Sequence, residues 1–348
     1  MASMRDVAAM AGVSVSTVSR VINNTRPVDE NTRRSVVDAI AKVNYRPNLL
    51  ASGLRSKSGN LIGLAVPEIS EHSFDMFIRY TEERVRAHRY GLILGDIHND
   101  PSDEAEFIDH LIRRNVDGII FIRVSDESRA LEMLDRTEIP YVVLDRGIFT
   151  ANAPTVVMDN HQCGYLAARH LAFLGHREVA CLTGPLNVRL CRARLEGFVA
   201  GLEASGITLD ASNIYEGDFT FDAGVSLAKT LIESCNQATA VWAQNDLMGI
   251  GIMAGLHDLG YRVPDRLSVV GVDDIEACRM VRPKLTTIRQ PFEAMSAAAV
   301  DLLIRQRELG TRLLEQIVLP PELVVRQSSA AIGSEGMRSE GEVAETGR

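Results

Sequence analysis

Residues 6–24, DVAAMAGVSVSTVSRVINN, gather hydroxyls at Ser14, Ser16 and Ser19 and a guanidinium at Arg20 within seven positions. Hydroxyls and guanidiniums donate hydrogen bonds to phosphate oxygens and base edges, so the cluster suits nucleic-acid recognition. Bond-breaking chemistry has no comparable signal. The chain has no G-x-x-x-x-G-K-[ST] phosphate loop, no HExxH pair and no G-x-S-x-G elbow. GIGIMAG (249–255) has the wrong glycine spacing for a dinucleotide loop and reads as small-residue helix packing. The eight histidines are scattered without a ligand-like pair. The five cysteines (Cys163, Cys181, Cys191, Cys235, Cys278) are odd in number and form no CxxC. Neither a metal, a cofactor nor a disulfide framework is expected, and the thiols read as small buried hydrophobes in a reduced compartment.

The hydroxyl and guanidinium cluster needs helices to present it. Val7, Ala8 and Ala11 make the inner stripe of a first helix, and Gly12 supplies a left-handed turn. Ser14 is placed to cap a second helix that buries Val18, Val21 and Ile22. Its outward residues Val15, Ser16, Ser19 and Arg20 would face a major groove. A third helix, starting near Asp29, is expected to bury Val36, Val37, Ile40 and Val43. The plain alternative is an ordinary helical hairpin, and charge weighs against it. Residues 1–58 hold nine Lys or Arg against four acids, a net +5 that leaves −14 on the rest of a chain of net charge −9. A basic head on an acidic body is expected where only the head touches phosphates.

The remainder repeats strand and helix. LIGLAV (61–66), GLILGD (91–96), GIIFI (118–122) and YVVLD (141–145) are short apolar runs of the kind buried parallel strands show. Helical stretches such as 74–88 and 104–114 separate them. The pattern begins again with TVVMD (155–159), EVACL (178–182), AVWA (240–243) and LSVVGVD (267–273), and IVLP and ELVVRQ would return to complete a sheet. An α/β body of two similar subdomains follows, each with a parallel sheet covered by helices on both faces. The expected division is 1–46 for the head, 47–59 for a connector and 60–332 for the body. The chain would cross between subdomains near 145–160 and 283–291, and 333–348 reads as a disordered Gly/Ser/Glu tail. No apolar run of about eighteen residues suggests a membrane span, and no basic leader with an apolar core opens the chain. A small ligand is expected between the subdomains, beyond the carboxyl ends of the strands.

The head resembles that of the LacI/GalR (lactose/galactose repressor) family, whose signature looks like DVAxxAGVSxxTVSRVxN. Here it runs Asp6-Val7-Ala8, Ala11-Gly12-Val13-Ser14 and Thr17-Val18-Ser19-Arg20-Val21, ending at Asn23, and the VNYRPN element recurs at 43–48. The resemblance covers roughly residues 4–328. It implies a small all-α helix-turn-helix head on a body of two periplasmic-binding-protein-like subdomains. Val15, Ser16 and Arg20 align with base-reading positions, while Ser14, Thr17 and Ser19 would hold phosphates. PNLLASGLRSKSG resembles the family's hinge helix, with Leu54 at the position of the minor-groove wedge and Arg55 beside it; Gly53 departs from a good helix former. Asp145, Arg194, Phe219, Asn245 and Asp273 match family ligand positions, with Phe74 and Leu190 beside them, although Asp145 and Asn245 would equally serve as caps. Leu190 replaces a small hydroxyl residue common in relatives. Arg123, with Arg146, Arg189, Arg192 and Arg194, would enrich the cleft in positive charge and suit an anionic sugar derivative. The implied protein is a cytoplasmic homodimer, or a tetramer built from it. It would bind a pseudo-palindromic double-stranded DNA operator as a repressor controlled by a small metabolite. A helix-turn-helix fused to a sugar-processing enzyme is the alternative. A transport-type binding protein would need a signal peptide and leaves the basic head unexplained.

Overall fold

The computed structural model describes residues 2–23, 26–45, 59–69, 72–124, 129–146, 153–234 and 237–333, and the chain divides into two units at Asn60. In the first unit Ser3 caps helix α1 (Met4–Ala11) through reciprocal bonds with Asp6. Gly12 ends the helix at φ 68°, a conformation only glycine adopts without steric cost. The Val13 N–H then returns to the Ala8 carbonyl at 3.1 Å, turning the chain into α2 (Val15–Asn23). Asp29 caps α3 (Glu30–Lys42) by accepting from the Thr32 N–H at 3.0 Å. Val7, Ala8, Val18, Val21, Val36, Ala39 and Tyr45 form the core. One expectation needs correcting. Val37 is 53% exposed, and Ala39 packs inward in its stead. Position 37 is rotated about 100° from Val36, whereas 36, 39, 40 and 43 recur at three and four residues and share a face.

In the second unit the eight expected apolar runs form strands within a residue of their bounds, and two strands that the sequence reading did not include, at 214–216 and 286–289, join them. One sheet runs β11 (Gln316–Leu319), β5 (Thr155–Met158), β4 (Tyr141–Leu144), β3 (Gly118–Phe121), β1 (Leu61–Val66), β2 (Gly91–Asp96), all parallel. The other runs β12 (Glu322–Val324), β10 (Thr286–Arg289), β9 (Ser268–Asp273), β8 (Ala240–Ala243), β6 (Val179–Thr183), β7 (Ile214–Glu216), with only β12 antiparallel. Between the strands lie α4 (His72–Ala87), α5 (Pro101–Arg113), α6 (Ala130–Asp135), α7 (Asn160–Phe173) and α8 (Arg189–Glu203). The later helices are α9 (Phe221–Glu233), α10 (Asp246–Asp258), α11 (Ala277–Met280) and α12 (Phe292–Leu309).

Sheet membership differs from the expected restart at 155. Strand β5 pairs with β4, so it completes the first sheet, and the chain changes sheet only through α7. It returns after β10 into α12, which packs on β3, β4 and β5. It crosses a third time between β11 and β12, so the two terminal strands finish one sheet each. Strands buried on both faces carry the same apolar signature whichever sheet they join.

Glycines set the helix pairs. A Cβ on Gly164 would lie 1.9 Å from the Arg194 carbonyl oxygen, and one on Gly251 2.0 Å from that of Phe221. Helices α7 and α8, and likewise α9 and α10, therefore touch backbone to backbone, and GIGIMAG packs as its composition suggested. Among the described residues no helix is long and apolar enough to cross a membrane, and no cluster of three or more His, Cys, Asp or Glu is suited to a metal ion. The four described cysteines are buried.

Two buried histidines tie the last described residues to the second sheet's subdomain. His170 Nε2 lies 2.9 Å from Ser329 Oγ, and His176 Nε2 lies 3.1 Å from the Ala330 carbonyl, which can only accept. Burial lowers the pKa of both and favours the neutral imidazole; for His170 repulsion between two protonated rings lowers it further, and for His176 the Ala330 bond opposes the shift. A depressed histidine contributes stability above its unfolded value and loses it as pH falls below about 6.5 toward the folded value. The melting temperature is therefore expected to drop on acidification through that range. A His170→Asn/His176→Asn double variant should show a shallower drop in differential scanning calorimetry, and an unchanged slope would remove the histidines as its source.

Candidate effector cleft and DNA-facing helix

Ser14 precedes α2 and accepts from the Thr17 N–H through Oγ at 3.1 Å, which makes it the cap. The same Oγ lies 2.7 Å from Ser16 Oγ and 2.9 Å from Thr17 Oγ1. Three hydroxyls thus cluster at the helix N-terminus, where free N–H groups and the helix dipole favour a phosphate. Val15, Ser16 and Arg20 are exposed, Thr17 and Ser19 half-buried, and Asn23 closes the helix. This face projects an apolar side chain, a hydroxyl and a guanidinium outward, with Val18 and Val21 anchoring the opposite face. Leu54 and Arg55, assigned to the hinge, lie outside the described residues.

In the second unit, strand ends deliver the candidate ligand residues. Asp145 follows β4, Phe219 follows β7, Asn245 follows β8 and Asp273 ends β9. Asp145, Phe219 and Asp273 have φ of 62°, 69° and 116°, conformations that cost a non-glycine residue about 1–3 kcal/mol each. Such strain concentrates where surrounding structure holds a side chain for binding. Phe74 and Leu190 enter from the first turns of α4 and α8, and Arg194 from the second turn of α8. These seven residues, with Ser73, Phe77, Arg146 and Gln290, surround one small space of about 20 Å³.

Polar contacts in this space span both sheets. Arg194 donates from Nε to Asn160 Oδ1 at 2.9 Å and from Nη1 to the Gln244 carbonyl at 2.7 Å. Its Nη2 reaches Gln290 Oε1 at 3.5 Å, and Gln290 Nε2 donates to Asp145 Oδ1 at 2.7 Å. Burial pushes the Asp145 carboxyl pKa up, opposed by Arg194, Arg146 and the Gln290 bond. Asn245 caps α10 by accepting from the Met248 N–H at 2.9 Å, and its amide donates to the Phe219 carbonyl at 2.8 Å. It is therefore a cap that also fixes the Phe219 turn. Gly184 leaves room for the Phe219 ring, since a Cβ there would lie 2.2 Å from its Cζ.

The five arginines do not converge as expected. Arg192 is exposed and donates from Nη1 to the Leu186 carbonyl at 2.6 Å, in the loop before α8. Arg123 is buried and lines a separate cavity of about 300 Å³ with Arg146 and Arg189. Asp145, Arg146 and Leu190 border both spaces. Gln290 and Asn160 escaped the sequence reading. Both sit on crossovers between the sheets, and neither belongs to a charged or periodic pattern. The thiols nearby are inert, with burial raising Cys191 to about 11 and Cys163 to about 12.

Comparison with known proteins agrees with this arrangement. Residues 3–48 match the family described as bacterial regulatory proteins, lacI family, and residues 168–329 match a periplasmic binding protein-like domain. The HTH-type transcriptional repressor PurR of Haemophilus influenzae (strain PittEE) is 35% identical over 338 residues, spanning 95% of this chain and all of the relative. Among solved structures, a lac repressor dimer bound to operator and the anti-inducer ONPF superposes with TM-score 0.86 at 29% identity, covering 95% of this chain and 99% of that one. A complex of the transcriptional regulator CelR with cellobiose gives TM-score 0.72 at 29% identity, covering 94% and 100%. These relatives are transcriptional regulators rather than enzymes. With a DNA-binding head matched at one end and a ligand-binding fold matched behind it, the chain belongs to the lacI family of bacterial regulatory proteins.

Proposed function

We propose that the chain is a cytoplasmic, sequence-specific repressor whose operator affinity is set by a sugar or sugar derivative bound between the two subdomains of its body. Gln290 carries this reading. It sits on a crossover and links Asp145, at the carboxyl end of β4 in the first sheet, to Arg194, on a helix of the second. A ligand that competes for these groups bears on both subdomains at once, so it has different affinities for their possible arrangements. Only such a difference can move an equilibrium, and the coupling to DNA is reciprocal. Residues 1–46 act as the head, 47–59 as the hinge and 60–332 as the body. A homodimer would set two heads on a pseudo-palindromic operator, with Leu54 and Arg55 in its minor groove.

Selection of DNA from a random library by the full-length protein tests the DNA-binding half, and an enriched palindrome is the expected result. Fluorescence anisotropy on that sequence, with candidate metabolites titrated in, tests the control. A selection that enriches nothing, or an affinity no metabolite alters, would falsify the reading. Arg20→Ala should relax preference at one base pair by about 1–3 kcal/mol, the value of a bidentate arginine–guanine contact. Repeating the selection with the variant measures this, and an unchanged consensus would show that Arg20 reads no base.

A further inference from the structure

We propose that the cavity of about 300 Å³ beside the cleft is an anion subsite, and that the effector is a polyol bearing a carboxylate or phosphate held by Arg123, Arg146 and Arg189. The inference rests on the effector-controlled function proposed above and narrows its ligand. The cavity lies beyond the carboxyl ends of β3, β4 and β5, where parallel sheets bind ligands, and Val318 of β11 closes one side. Its three guanidiniums come from three separate elements: the loop after β3, the loop after β4 and the first turn of α8. An oxyanion in this space would accept charge-assisted hydrogen bonds, which are stronger than those a neutral hydroxyl accepts.

Two carboxylates also border the cavity, and Arg146 acts electrostatically on one of them, Asp145. Asp159 Oδ1 caps α7 by accepting from the Gln162 N–H at 2.8 Å, and Asp145 Oδ1 accepts from Gln290 at 2.7 Å. The first turns of α7 and α8 also border the space through Asn160, His161 and Arg189, adding the positive ends of two helix dipoles. Val157, Met158, Leu190 and Val318 supply apolar wall, which lowers the local dielectric and strengthens charge-assisted bonds. Leu190 stands at the border with the smaller space, as does Asp145, which offers an acceptor to a ligand hydroxyl.

The test is calorimetry on the full-length protein at low ionic strength. The probes are common hexoses, their aldonates, uronates and 6-phosphates, and inorganic phosphate. At least one anionic probe is expected to bind about tenfold or more tighter than its neutral parent, the scale of one charge-assisted bond. Arg189→Gln should reduce that preference severalfold; Arg189 is exposed, so this variant spares the core, unlike Arg123→Gln. Carboxylates alone or phosphates alone showing the preference would identify the source of the anion. Two results overturn the proposal: neutral sugars binding as tightly as their anionic partners, or no anionic probe binding at about 10 mM. Operator selection with the same preparation separates the two readings. A protein that enriches a palindrome but prefers neutral sugars loses only the anion subsite, whereas one that enriches no sequence loses the regulatory function itself.

Discussion

Gly197→Ala is expected to destabilise the second unit by about 2 kcal/mol net, and to weaken effector binding along with stability. The added Cβ would lie 1.8 Å from the His161 carbonyl oxygen and 2.7 Å from its carbonyl carbon. Both are backbone atoms of α7, so no side-chain rotation relieves the clash and the helices must separate. Against this stands the helix propensity of alanine, worth about 1 kcal/mol over glycine. Overpacking costs about 1–3 kcal/mol even where side chains can adjust, and here they cannot, so the clash outweighs propensity. Separation also pulls Asn160, at the start of α7, away from Arg194, on α8, and so loosens their 2.9 Å bond. Gly249→Ala is the internal control. Its Cβ would meet the Leu285 side chain at 3.3 Å and the Gly271 Cα at 3.7 Å, an ordinary contact, so the expected change is within about 1 kcal/mol. Urea denaturation of both variants, with effector titration of the folded protein, measures the contrast. Equal stabilities for the two would mean that α7 and α8 do not need their close contact.

Helices and strands were legible because their signals are local. Ser14 beside Thr17, and Gly12 before Val13, announce a cap and a turn that the chain makes with its own neighbours. Apolar strands such as AVWA carry their burial in their composition. Sheet membership was not legible, since β5 looks equally at home beside β4 or β6, and only long-range pairing decides. Val37 was misplaced for a smaller reason: adjacent valines both look buried, although the helical repeat admits only one of them. In the cleft, residues following strand ends were recognisable because strand ends are where such sheets place ligands. Gln290 was not, because its importance comes from lying 145 positions from Asp145 yet 2.7 Å away. The arginines illustrate the same limit. The resemblance put five in one region, while geometry turned Arg192 back onto the loop before α8 and put Arg123 and Arg189 in a cavity apart from Arg194, with Arg146 bordering both spaces.

Arg194→Lys should abolish the effector response while leaving operator binding without effector intact. Arg194 is buried, and its planar fork serves three acceptors on three segments: Asn160, the Gln244 carbonyl and Gln290. A lysine keeps the charge but presents one compact ammonium that does not reach all three in the same geometry. Each buried acceptor left unserved costs the folded body about 1–3 kcal/mol of stability, and the residues that would meet the effector lose the bonds that position them. Gln290 would lose its fixed orientation, and with it the bond that holds Asp145. A substitution to methionine removes the charge as well. Arg194 opposes the effect of burial on Asp145, so its loss should move the Asp145 carboxyl pKa further upward and favour the neutral acid. An effector that donates hydroxyl hydrogens to Asp145 would then bind more weakly to Arg194→Met than to Arg194→Lys. The head lies in the other unit, so its helices and the Ser14 cap are untouched by either change. Anisotropy on the selected operator, with and without effector, separates the outcomes. A lysine variant that still responds fully would leave Arg194 as a scaffold for the crossover and move ligand recognition to Asp145, Asn245 and Asp273.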